Sequence, residues 1–544
     1  MEERRLMLAF ALSFAVLLGF RMWTNSRYPQ QAAPTPSPAA KTDGHGPAPV
    51  AATVPSPKVP AIASSPTPVA HAPVISGDER RVELATPGAE IAFTSKGGRL
   101  LSWKLLEFKD SRGKSLEVHP GGNPTPGPLD LVTGRPDVDS RLRDALYRVS
   151  EVGQGPEKTT RFEFSDGTLE ATKQIQPIKG GRAFRIDASV RQNGQTLPTR
   201  LYWGPGFGQP TDEEKALNGY LHPQLVEVDS TKELRLQPKA LAEPRNVNAT
   251  YVGVETKYFA AVFTREDRSE VQATAAATRD KDPAVELIVP LPIVLTVGAK
   301  EYDRLKELDL GVEKVVPVGS WLGPIVVPLT RALRAVEARV GNYGVAIILL
   351  TMAIALTLSP LRHYAILSSA KMAKVAPQIR AVQERYKRLS LTDPKRQQMS
   401  QEISDVYQKN GIDMVRQTAA GCLPTLLTMP FLFAFYRMLD ISVALKGAPF
   451  LWIPDLSLKD PLFITPLLSG LSMIAMQRLM PAPAVDPAQQ RMMLLMPIIF
   501  SGMFAWAPAG LNLYWFVSNL CAMVQQALAM YFAPHLFPRV RESA

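Results

Sequence analysis

The side chains with chemistry to offer are few, and they lie among apolar neighbours. Near the C-terminus Tyr514, Ser518, Cys521 and Gln525 recur at intervals of four, three and four, so a helix puts them on one face, with Trp515, Asn519 and Gln526 beside them. Thr351 and Ser359 mark a thinner stripe upstream. Hydroxyls, amides and a thiol in such a setting can solvate a polar guest or bond to one another across helices. The second, plainer use fits Thr351 alone better than it fits the Tyr514 stripe. No Asp, Glu, Lys or Arg falls within the five apolar segments that carry these residues, so there is no proton relay or ion-coupling site. The chain has no Gly-x-x-x-x-Gly-Lys-Ser/Thr loop for ATP. Its two cysteines, Cys422 and Cys521, both lie in apolar segments, which leaves no disulfide framework and no zinc cluster. No catalytic residue, metal or cofactor is expected.

The elements that must position these residues are Gly344 to Leu358, Gly421 to Tyr436, Leu462 to Gln477, Met492 to Ala507 and Leu511 to Phe532. Each reads as a membrane span. The first four have only 15 or 16 residues, fewer than the roughly 20 that cross a standard hydrocarbon core, so the bilayer around them should thin. Pro424, Pro430, Pro466 and Pro497 within them point to a bundle with a wet interior, where freed carbonyls find partners. Thr428 and Tyr436 on the second span join the candidate groove residues.

Charge sets the orientation. Of the formal net charge of +11 over 544 residues, much lies beside the spans, which indicates topology rather than a nucleic-acid partner. Arg362 to Arg416, Arg478 to Arg491, and the tail with Arg539 and Arg541 fall inside. Leu6 to Phe20, followed by Arg21, Met22 and Trp23, reads as an uncleaved anchor with the N-terminus inside rather than a signal peptide. Residues 1–27 are thus an anchor, and 28–76, rich in Pro and Ala, a semi-extended tether.

Residues 77–312 then lie outside. Their short period-two runs, such as Glu90 to Thr94, Arg161 to Phe164 and Arg182 to Val190, predict a large antiparallel sandwich, with a short helix over Lys300 to Leu310. Within 313–340, Leu322, Ile325, Val326, Leu329, Leu333 and Val336 share one side of a helix that could lie on the outer membrane face. Packing of that helix on the sandwich is the alternative. Residues 341–544 form the five-span core. Its basic loop, 362–416, is a helical hairpin with a seam of Met372, Val375, Ile379, Val382 and Tyr386 against Met399, Ile403 and Val406. Its Lys371, Lys374, Arg380, Arg385, Lys387 and Arg388 are either a solvated face or a docking site for a ribosome or targeting factor.

The order of parts resembles the YidC/Oxa/Alb membrane protein insertase family over nearly the whole chain, in its form with a large periplasmic domain. The resemblance is carried by Gly341-Asn342-Tyr343-Gly344, Ser359-Pro360-Leu361, Ala370-Lys371-Met372 with Pro377, Gly421-Cys422-Leu423-Pro424 and Met429-Pro430. Trp452-Ile453-Pro454-Asp455-Leu456, Asp486-Pro487 and Ser518-Asn519-Leu520 with Gln525-Gln526 complete it. It implies a multi-domain membrane protein with an anchor helix, a periplasmic all-β supersandwich and a five-span α-helical core. The implied function is insertion of nascent inner-membrane proteins through a hydrophilic groove, alone or with the Sec translocon and in contact with membrane lipid. It also implies that Thr351 and Trp515 contact the substrate. Where the family usually carries a groove arginine, one turn from the Thr, this chain has Ala355. Arg362, eleven residues after Thr351 and so on the same helix face, about 10 Å further along the axis than Ala355, is expected to replace it in part by snorkelling. The segment Asp413 to Ala420, longer than the family's usual link, leaves the start of the next span open.

Two rivals are weaker. A tethered carbohydrate enzyme of mutarotase type needs His and carboxylates together, and the sandwich offers only His119 and His222. A small-molecule transporter is disfavoured by charge-free spans.

Overall fold

The computed structural model describes residues 77–532 except 110–113, 120–123, 154–157, 209–222, 230–232, 280–282, 320, 387–394 and 481–486. The expected anchor and linker, His222, Lys387, Arg388, Asp486, Arg539 and Arg541 lie outside these residues. The chain divides into two compact units, Ala70–Lys387 with Glu402–Ala544 and Met1–Val69 with Arg388–Gln401. Almost all described residues belong to the first.

Its N-terminal part is all β apart from short helices. A ten-stranded antiparallel sheet runs Glu233–Leu236, Gln224–Val228, Tyr251–Glu255, Phe259–Thr264, Ile293–Ala299, Ala183–Gln192, Leu169–Ile178, Thr159–Ser165, Arg148–Val152, with Gln195–Leu197 paired to Ala183–Gln192. A five-stranded sheet (Arg245–Ala249, Val271–Ala277, Val285–Pro290, Arg200–Trp203, Leu131–Val132) and a four-stranded one (Arg81–Thr86, Ala89–Thr94, Leu100–Lys109, Ser115–Glu117) accompany it. Strand Leu169–Ile178 alternates buried and partly exposed side chains, the mark of one covered face. Tyr251–Glu255 and Phe259–Thr264 are buried throughout, as befits central strands. Gly253 lies opposite Val262 there, and a Cβ on it would come within 2.3 Å of the Ala261 carbonyl oxygen, so the two backbones need a glycine. One core joins the sheets, with Trp103, Phe162, Trp203, Phe263 and Leu287 among its members. Helix α1, Pro136–Asp144, contributes Val138 and Leu142 to it.

The C-terminal part is helical. After α2 (Tyr302–Glu307) come α3 (Gly323–Val340), α4 (Tyr343–Thr357), α5 (Ser359–Arg385), α6 (Lys395–Lys409), α7 (Met414–Ile441), α8 (Ile464–Leu479), α9 (Pro487–Phe504) and α10 (Ala509–Phe532). Gly341, at φ 69°, ends α3 in the left-handed conformation that glycine adopts without strain, and the Asn342 side chain accepts the Val345 N–H to begin α4. By length and composition no single described helix is apolar over enough residues to cross a membrane, but α4 and α5 together, bent by 61°, are.

Two expectations change, and one open point closes. The helix of the second apolar run starts at Met414: Gly411 (φ 69°) ends α6 and nothing from Met414 to Ala420 stops a new helix. Thr351 and Arg362 do not share one straight helix, because α4 ends at Thr357 and Pro360, lacking an N–H, sits in the first turn of α5. The apolar side of α3, expected on lipid, is largely taken up by protein, with Val326 and Leu333 fully buried in the cluster formed with α4, α7 and α10. Its other side meets the β region, where Arg331 makes three hydrogen bonds to the Asp303 carboxylate and Arg334 pairs with Glu301 at 3.1 Å. Lys257–Asp440 at 3.0 Å, and Arg437 donating to the Pro317 carbonyl at 2.7 Å, complete this junction.

Candidate functional site

Helix α10 is the hub, packing on α4 and α8 along its length and on α5 and α7. The face that carries the Tyr514 stripe meets the bend between α4 and α5. There the Gln525 side-chain amide donates to the Ala355 carbonyl at 2.9 Å and accepts from the Arg362 guanidinium at 3.5 Å. Arg362 is half-buried and within electrostatic range of Tyr514 and Cys521. Tyr514 stacks on Phe435 of α7, with ring centroids 4.2 Å apart, and bonds Ser518 through its hydroxyl. Ala355, Arg362, Tyr514 and Ser518 are therefore brought together, with Cys521 and Gln525, in a polar cluster inside an otherwise apolar bundle.

The other candidates are placed differently. Thr351 is buried and its hydroxyl donates to the Ile347 carbonyl of its own helix at 2.6 Å. Trp515 turns toward α9, edge-on to Phe500 and Phe504 at 5.3 and 5.8 Å. Asn519 donates to Ser472 of α8 at 2.9 Å. Ser359 is half-buried at the start of α5, Thr428 is half-buried on α7 and Tyr436 is exposed there. Ser472 and Phe435 were not legible as members, since nothing in their own segments distinguishes them. Gln525 was on the stripe, but its two partners depend on the bend.

The opposite end of α10 is closed by backbone. Ala509 and Gly510 donate to the carbonyls of Leu458 and Leu456 at 2.7 and 2.9 Å. Asp460, fully buried, accepts from the backbone N–H groups of Leu462 and Thr465, the Thr465 hydroxyl and the Trp452 indole. These hydrogen bonds outweigh burial and hold its carboxyl below the usual range. Phe450 lies against Gly344, where a Cβ would come within 2.2 Å of its ring.

On the hairpin, Val375, Ile379 and Tyr407 form the seam, with Met372, Ile403, Val406 and Ile412 partly buried around them. Lys371, Lys374, Arg380 and Arg385 are exposed, and Arg385 pairs with Glu402 at 2.6 Å.

In the β region His119 is buried, and burial lowers its pKa against the opposing pull of Glu117. A separate buried network centres on Glu255, which accepts from Arg235 (2.7 Å), Gln224 (2.9 Å) and Lys300 (3.3 Å). Burial opposes its charge, but Lys300 and Arg235 outweigh that and hold the carboxyl below its ordinary range. Among the described residues no group of three or more His, Cys, Asp or Glu is placed to hold a metal ion.

Residues 335–535 match the family described as 60Kd inner membrane protein. The membrane protein insertase YidC of Aeromonas salmonicida (strain A449) is 29% identical over 560 residues, covering 97% of this chain and 97% of that protein. Its counterpart from Syntrophus aciditrophicus (strain SB) is 29% identical over 560 residues, covering 96% and 98%. A crystal structure of an active YidC insertase with its first transmembrane domain resolved covers 84% of this chain and 94% of that one at 16% identity, with a TM-score of 0.35, and the assignment does not rest on it. Similarity to these insertases thus runs along nearly the full length of the chain, and the inner-membrane-protein match covers its helical part.

Proposed function

We propose that the protein is a membrane protein insertase of the inner membrane, acting on nascent membrane proteins without nucleotide hydrolysis or bond chemistry of its own. The anchor at 1–27 and the five later helices span the membrane, with the β region (77–312) in the periplasm and the hairpin 362–416 in the cytoplasm. The groove is the polar cluster at the α4–α5 bend, and its cation is Arg362. The observation that carries this reading is the placement of Arg362: a guanidinium drawn between helices, against Gln525 and near Tyr514 and Cys521. A cation there lowers the cost of taking a short acidic tail out of water. Burial of the substrate's apolar helix in lipid then drives completion.

Thr351, Ser359, Thr428, Tyr436, Trp515 and Asn519 line the path along which the substrate helix leaves, with Trp515 offering aromatic surface. The exposed Lys371, Lys374, Arg380 and Arg385, with Lys387 and Arg388, present a basic surface to a ribosome or targeting factor. The protein acts alone or with the Sec translocon.

Reconstituted Arg362→Ala protein is expected to insert a substrate with an acidic tail about tenfold more slowly, the effect of losing one charge-assisted contact. Undiminished insertion overturns the role of Arg362. Photocrosslinkers at positions 351 and 515 should capture nascent membrane proteins. Bound sugar with no nascent-chain adduct would instead favour a carbohydrate-active protein.

A further inference from the structure

Gln525 touches both sides of the bend at once. Helix α4 ends at Thr357, so the Ala355 carbonyl is among the last four, which a helix end leaves without a partner of its own. Gln525 supplies that partner with its amide nitrogen at 2.9 Å, while its amide oxygen faces the Arg362 guanidinium at 3.5 Å. The donor role toward the carbonyl fixes which end of the amide faces Arg362, because a carbonyl only accepts and a guanidinium only donates. One side chain thus ties the end of α4 and the first turn of α5 to α10.

We propose that Gln525 is a positioning residue: by bonding the freed Ala355 carbonyl with one end and Arg362 with the other, it holds the bundle's internal cation at the bend instead of letting it extend to the water beyond. An arginine side chain is long enough to reach water from a first-turn position, and hydration favours that escape. The Gln525 oxygen offsets part of the hydration lost, and its anchorage to Ala355 keeps that oxygen in place. This rests on the reading of Arg362 as the groove cation.

The test compares two substrates that differ only in one tail residue, Asp or Asn, inserted by the reconstituted full chain, and reads the ratio of the two rates. Arg362→Ala is expected to lower the Asp/Asn ratio about tenfold. Gln525→Met, which keeps volume and removes both hydrogen bonds, is expected to lower it by a similar factor. Gln525→Glu, whose carboxylate keeps Arg362 but cancels its charge, is expected to do the same. The double variant Arg362→Gln with Gln525→Arg, which moves the cation across the same contact, should restore the ratio to within about threefold of the wild type. A purely structural hydrogen bond would slow both substrates equally and leave the ratio unchanged in Gln525→Met. That result, with Arg362→Ala lowering the ratio, overturns the positioning role and spares the groove reading. No change in ratio in Arg362→Ala overturns both. A double variant that stays as low as Arg362→Ala also overturns the positioning role.

Discussion

Glu255 is the residue on which the interior of the β region depends most. Its carboxylate is 1% exposed and answers two buried or half-buried cations, Arg235 and Lys300. Removing it by Glu255→Ala strands Lys300, while Arg235 keeps Glu233 and the Val315 carbonyl, at a cost of about 3–5 kcal/mol, measurable by urea unfolding of the purified full chain in detergent. The folded carboxyl titrates below the ordinary value of 4.5, so the unfolded chain takes up the proton first. This contribution is therefore complete above the ordinary carboxylate range and is lost as pH falls through the lowered folded value. None of it was legible in sequence, because Gln224, Arg235, Glu255 and Lys300 meet only through the pairing of separate strands. Arg362 was legible as a type and a rough place, but counting along a straight helix missed the bend. Ser359-Pro360 had been read as a motif, not as the point where the helix restarts.

Among the elements, the loop before α8 makes the sharpest prediction. Asp460 accepts from the backbone N–H of Leu462, ahead of that helix, and of Thr465 in its first turn, a donor the helix itself leaves unpaired. Asp460→Ala should lower stability by about 1–3 kcal/mol, since buried donors lose their acceptor. The melting temperature of the detergent-solubilised chain should fall accordingly, with Asp460→Asn falling less. In the hairpin, Ile379→Ala removes a buried seam residue, and a cost of about 2–4 kcal/mol should appear as faster amide hydrogen exchange along α6. That seam was readable because a narrow apolar stripe in a charged background has helical spacing. The start of α7 was not, since hydropathy marks where a segment is apolar, while a helix goes on until a residue such as Gly411 interrupts the backbone.

At the scale of the whole molecule, the β and helical parts are joined by charge as well as by the apolar contacts of Val318, Ile441 and Val443. Asp303 is held below the ordinary carboxylate range chiefly by its hydrogen bonds from Arg331. The junction it makes is thus intact at neutral pH and weakens as pH falls through that lowered value. Exposed pairs of this kind contribute little each and are screened by salt. Arg331→Ala combined with Lys257→Ala should speed protease cleavage in the segment before α3, and high salt should produce part of the same effect in the wild type. An unchanged cleavage rate would mean that the apolar contacts of Val318, Ile441 and Val443 with the β part alone hold the two parts. The β class of residues 77–312 was legible from alternation. The sheet order was not, because the pairings that link its hairpins, such as Ile293–Ala299 with Ala183–Gln192 and Arg200–Trp203 with Val285–Pro290, join strands far apart in the chain.

The closed end of α10 has an electrical meaning under the insertase reading. A wet groove that opens only to the cytoplasm carries the potential of that compartment to its floor. The membrane voltage then falls mainly across the layer formed by the Leu456 to Asp460 loop and the first turn of α10. Each unit charge crossing that layer exchanges about 2.3 kcal/mol per 100 mV with the field. With the cytoplasm negative, an acidic tail resting at Arg362 is driven outward over a short distance. Loosening the loop would spread the voltage drop, weaken that pull, and let ions leak.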